Sequence, residues 1–151
     1  MAKILRNAVL LALITALWCW IMSALHGIWS FGIIRDYLDG GKIPLHPSLP
    51  VTYITFFMYT TGAFVVAFLT VFSLCILVPP KFRMAIVLVA WLMGAWMGAA
   101  NISFLFQMDF GTTWRTWEAI LGLYVHGLFT PVWLFIGLWG TEALTRPLRK
   151  A

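Results

Sequence analysis

Charge is what this chain has least of. Only 10% of its 151 residues are Asp, Glu, Lys or Arg, where a soluble domain carries about a quarter. With 62% hydrophobic residues and a mean hydropathy of +0.93, that scarcity excludes a soluble globular domain and implies an integral membrane protein. Cysteine is nearly absent too. Cys19 and Cys75 both fall inside apolar runs, at different expected depths, so the sequence excludes a disulfide scaffold and reads both as small buried side chains. The chain has no GxSxG, no HExxH, no paired intramembrane aspartates and no glycine-rich phosphate loop, which leaves hydrolytic and nucleotide chemistry without a motif. His26, His126, Asp109 and Glu118 are scattered without ligand spacing, so no metal site is expected. The net charge of +5 sits at the ends of apolar segments, with no basic patch left for nucleic acid.

What is abundant is apolar length. Four runs, about 7–28, 51–78, 84–106 and 119–140, are each long enough to cross a bilayer as a helix. The first follows Lys3 and Arg6 as a signal peptide would. It is too long for a signal h-region and lacks a small-x-small cleavage site, so it is expected to stay as a spanning helix. Trp29 to Pro50 is expected to be a loop, closed to helix by Gly40-Gly41 and three prolines, with at most a short interfacial helix over 30–38. Pro79-Pro80 ends the second run and leaves a very short turn, so the second and third helices should be antiparallel neighbours. Gln107 to Glu118 forms a second polar loop. The N-terminus, the Pro79 to Arg83 turn and the C-terminus carry seven Lys or Arg against one acid, Glu142, and the other side carries three bases against four acids. Both termini are therefore expected in the cytoplasm. The predicted fold is an all-α, four-helix antiparallel transmembrane bundle forming one domain, placed in a bacterial inner membrane.

Helices in lipid associate through close backbone approach and interhelical hydrogen bonds, so small and polar residues mark their contact faces. In the first run Thr15, Cys19, Ser23 and His26 share one face, and in the second Thr52, Thr55, Tyr59, Gly62, Thr70 and Ser73 do. The third aligns Ala90, Gly94, Gly98 and Asn101, with Ala95 and Ala99 beside them. Gly94 and Gly98 form a GxxxG pair, read as a packing face within the bundle or a contact to a partner subunit. The fourth places Gly122, His126, Thr130, Trp133, Gly137 and Gly140 together. At about 1.5 Å per residue, His26, Asn101, His126 and Tyr59 lie roughly 3, 8, 10 and 12 Å inside the outer boundary. They form a candidate polar site, with Glu118, Arg115 and Asp109 at its rim. Trp18, Trp96 and Trp133, too deep for an interfacial belt, are expected to fill space opposite glycines.

His126 is the one ionisable side chain expected well inside the membrane, and burying such a group is costly unless it does something. Hydrogen bonding to Tyr59, Asn101 or the Gly127 carbonyl would make it structural. The first functional expectation is a non-catalytic membrane subunit whose partners are the bilayer and other membrane-protein subunits, since the loops are too short for a sensor or enzyme domain. A second is a small transporter or channel with its path at His126. A third is a redox subunit holding haem b or a quinone through His126 and His26.

Overall fold

The computed structural model describes residues 2–40, 53–110, 115, 117 and 129–150. Among them the chain is helical, with α1 (Ala2–Gly40), α2 (Tyr53–Tyr59), α3 (Thr61–Leu77), a 3₁₀ turn (Pro80–Phe82), α4 (Arg83–Phe110) and α5 (Phe129–Lys150). Three stretches are long and apolar enough to cross a membrane: Ile4–Trp29, Ile54–Leu77 and Pro80–Phe104.

The helix ends differ from those the sequence suggests. α1 does not stop near Ile28 but runs on through 29–40, the first half of the expected loop. Nothing from Trp29 to Leu38 removes a backbone donor, and the single Gly32 is carried within the helix, which ends only where two glycines adjoin at Gly40 and Gly41. Its 39 residues measure about 58 Å, nearly twice a bilayer's hydrocarbon core. α4 likewise continues to Phe110, through the start of the second expected loop. α5 passes Gly140 and ends at Lys150, with Pro147 accommodated near its end. Gly140 is not a terminus; the Trp18 ring fills the space beside it.

The 51–78 run is two helices, not one. Thr60, with φ −84° and ψ 3°, separates α2 from α3. At the other end of α3, Val78 N donates to Leu74 O and Phe82 N to Pro79 O, closing the short turn into α4.

α1 and α4 pack on each other, and both α3 and α5 pack on that pair. A Cβ at Gly94 would meet Cys19 and Ala67, and one at Gly98 would meet Ser23 and Ala63, so α1 and α4 run in the same sense and α3 runs against them. Trp18 reaches Gly137 and Met22 reaches Trp133, which makes α5 antiparallel to α1. The buried side chains form two layers. Nearer the termini are Ala8, Leu11, Ala12, Val71, Cys75, Ile86, Val87 and Ala90. The distal layer holds Ala16, Cys19, Met22, Ala63, Ala67, Trp91, Ala95 and Trp133.

The inward face of α3 is Ala63, Ala67, Val71 and Cys75 at every fourth position. Of the polar stripe expected for the second run, Tyr59 and Gly62 do meet α4, whereas Ser73 is exposed and Thr70 only half-buried. Alanine brings backbones together without a polar atom needing a partner, which is the cheaper way to pack in lipid. In α1 the polar stripe does face inward, with Thr15, Cys19, Ser23 and His26 all buried. Leu17, Ile21 and Leu25 of α1, Val65 and Leu69 of α3, Leu92 and Met93 of α4, and Val132 and Phe135 of α5 cover the outside.

Candidate functional site

His126 and Glu118, with Gly122, lie outside the described residues, as does the Asp109 side chain; Arg115 is exposed. The remaining members of the expected site divide into two places. His26 is completely buried, its ring 4.4 Å from that of Trp133 and tilted by 55°. The indole packs against one face of that imidazole. Asn101 and Tyr59 meet instead at the α2–α3 break, where Asn101 Nδ2 donates to Tyr59 O at 2.9 Å. The Tyr59 main chain, not its phenol, is the partner. Among the described residues no group of three or more His, Cys, Asp or Glu is placed to hold a metal ion.

The interior around His26 is built from indoles and glycines. Trp18 Nε1 donates to Gly137 O at 2.9 Å, and Thr141 Oγ1 donates to the same carbonyl at 2.7 Å. Trp133 Nε1 returns a bond from α5 to α1, donating to Met22 O at 2.8 Å. Trp91 is buried against Trp133, with ring centroids 5.4 Å apart, and its benzo ring occupies the place a side chain on Gly137 would take. Gly140 yields similarly to Trp18, whose Cζ2 stands 2.6 Å from where a Cβ would be. Cys19 Sγ donates to Trp91 O at 3.3 Å. Apart from the Thr141 bond, which lies within α5, each joins a side chain to a neighbouring helix's main chain, so the set fixes helix positions rather than presenting reactive groups.

Gly94 and Gly98 are also inside. A Cβ on Gly94 would lie 2.7 Å from both Ala63 O and Cys19 Sγ, and one on Gly98 would lie 2.8 Å from Ser23 Cβ. The GxxxG face is occupied by α1 and α3 of the same chain, which removes it as a contact to another subunit. Both cysteines are free and buried.

The second place is the break at Thr60. Thr60 N keeps the helical bond to Phe56 O at 3.0 Å, and Ala63 N turns to Thr60 O at 2.8 Å. In a continuous helix Ala63 N would bond Tyr59 O, the carbonyl that Asn101 holds. Thr61 N would bond Phe57 O, which accepts Trp20 Nε1 at 2.8 Å and Thr61 Oγ1 at 3.2 Å. Side chains from α1 and α4 thus enter the ladder of the second span, a recognised cause of a helix kink. Trp20 is seated by edge-on contact with Phe57 at 5.7 Å and Phe64 at 6.2 Å.

Sequence reasoning missed Trp20, Thr60 and Trp91 as members of these sites and misplaced Trp96. Trp91 is the indole that faces a glycine on α5, whereas Trp96 points outward. The available signal was angular. Trp91 is three residues before Gly94 and so on its side of the helix, while Trp96 is about 200° from it at 100° per residue.

No protein-family model matches the chain, and comparisons with curated proteins and with solved structures find no match either.

Proposed function

We propose that the protein is a non-catalytic integral membrane subunit of a larger inner-membrane assembly, crossing the bilayer four times with both termini in the cytoplasm. The observation that carries this reading is the outward placement of two indoles at mid-depth. Trp139 is 64% exposed between Gly137 and Gly140, the residues that meet Trp18 near the middle of the first span. Trp96 is 59% exposed between Gly94 and Gly98, which meet Cys19 and Ser23. At this depth hydrocarbon offers an indole N–H no acceptor, and tryptophans facing lipid concentrate instead at the interfaces. Inside the bundle, Trp18, Trp20 and Trp133 each donate to a carbonyl of another helix. A transmembrane helix of a partner subunit would give Trp96 and Trp139 the same kind of acceptor.

The test is photo-crosslinking in native membranes from a reactive residue placed at position 96 or 139. One discrete protein adduct from each position is the expected result. Lipid adducts alone, with the protein running as a monomer in mild detergent, would sink the reading. A small transporter is the second reading, favoured by the broken second span, because interrupted helices line the sites of many transporters. Solute flux through liposomes containing only this chain would decide for it.

A further inference from the structure

The second apolar run holds no proline, yet its helix is interrupted about a third of the way along, at Thr60. We infer that this interruption is a two-position latch: Asn101 of α4 and Trp20 of α1 hold α2 bent against the bundle, and their release lets α2 and α3 join into one straight helix.

Both positions satisfy the two carbonyls at the joint. In the bent one, Tyr59 O is held by Asn101 Nδ2 and Phe57 O by Trp20 Nε1, while Ala63 N uses Thr60 O. In the straight one, Tyr59 O and Phe57 O accept from Ala63 N and Thr61 N, as in any α-helix. The Thr60 hydroxyl, 2.7 Å from Phe56 O, is compatible with either, since a threonine can bond the carbonyl four residues back within a helix. The two carbonyls stay bonded in both, while Asn101 Nδ2 and Trp20 Nε1 give up their acceptors in the straight one, which makes the bent one the resting position in a medium where an unmade bond is expensive. Thr60, Thr61 and Gly62 are weak helix formers in a row, so the joint falls where the helix is easiest to open. Two side chains from outside hold it open.

Gly62 is what admits one of them. A Cβ at Gly62 would lie 2.7 Å from Asn101 Nδ2 and 3.1 Å from Met97 Cγ. The amide occupies the space a methyl would fill. Gly62→Ala thus pushes Asn101 off the Tyr59 carbonyl while improving helix propensity at the joint, and so tests the latch by adding an atom rather than deleting a partner. α2 has seven residues, about 10 Å of helix, so a reorientation of about 20° at the joint would move its far end by about 4 Å.

The experiment is a distance measurement between spin labels on cysteines at the exposed positions Ile54, at the far end of α2, and Leu25 of α1, in the full chain in lipid nanodiscs. The native cysteines are buried. The expected result is one distribution in the parent and a second, displaced by about 4 Å, shared by Gly62→Ala and Asn101→Leu, with Trp20→Phe populating both. Unchanged distances in Gly62→Ala overturn the latch, and so do different new distributions in the two variants. If Asn101→Leu does not fold, Gly62→Ala decides alone. The measurement uses the isolated chain, so its outcome is independent of whether a partner subunit exists.

Discussion

Replacing Gly137 with alanine should loosen the fourth helix from the bundle. The added methyl would fall where Cζ2 and Cη2 of Trp91 already lie, and 3.1 Å from its Cε2. Trp91 has nowhere to go: it is completely buried, and Trp133 stands 5.4 Å away. α5 must therefore move outward, and that motion stretches the Trp18 bond to Gly137 O and the Trp133 bond to Met22 O. Overpacking costs about 1–3 kcal/mol. Weakening interhelical hydrogen bonds in a membrane adds about 0.6 kcal/mol each. Alanine returns up to about 1 kcal/mol of helix propensity. The net is a loss of about 1–3 kcal/mol, roughly a 5- to 150-fold shift toward the unfolded state. Reversible unfolding in mixed micelles, followed by tryptophan fluorescence, reads this directly. Trp91→Phe shrinks the obstructing ring and leaves a cavity of its own, so the double variant should be more stable than the sum of the two losses by at least about 1 kcal/mol. Equal stability of Gly137→Ala and the parent, or strict additivity with Trp91→Phe, would refute the proposed contact.

Three other outcomes follow from the same packing. Trp133→Phe keeps most of the ring but deletes the donor to Met22 O, and should lower unfolding free energy by about 0.6–1.7 kcal/mol, with the larger loss if His26 repacks. Cys19 and Cys75 should resist a membrane-permeant maleimide in the folded protein and react fully once it is unfolded; rapid labelling of the native state would show that their helices do not pack as described. Glu142→Gln removes the partner of Arg146, 3.2 Å away across one helical turn at an exposed site, and should change unfolding free energy by less than about 0.5 kcal/mol.

The spanning segments were legible because lipid tolerates so few charges: three of the four apolar runs reappear as helices long enough to cross, with the Pro79-Pro80 turn where expected. What misled was glycine. Gly137 and Gly140 were placed on the contact face, but the fourth run was ended at Gly140, where the helix continues to Lys150 and an indole from another helix fills the space beside the glycine. The Thr60 break had only a weak local sign in the Thr60-Thr61-Gly62 run, since the side chains that enter it, Trp20 and Asn101, are 40 and 41 positions away in sequence. The inward placement of His26 followed from its spacing with Thr15, Cys19 and Ser23, because a polar stripe on an apolar helix has only one low-energy direction to face. Its neighbour Trp133 was assigned to the right face of the fourth run, but the pairing needed the register between α1 and α5, which no single-helix pattern contains.

That register has a consequence for how the protein is made. α1 is made before the helices it packs against and carries Thr15, Cys19, Ser23 and His26 on one side, and the indole that covers His26 is synthesised 111 residues after Met22. At about 5–20 residues per second, α1 waits roughly 5–20 s in the membrane before Trp133 exists. Through that interval its polar side needs temporary cover, from the insertion machinery or from α3 and α4 as they arrive. Slowing elongation between Phe110 and Phe129 would prolong the exposure, so clearance of the nascent chain by membrane quality control should rise with that delay, and less so when Ser23 and His26 are replaced by apolar residues.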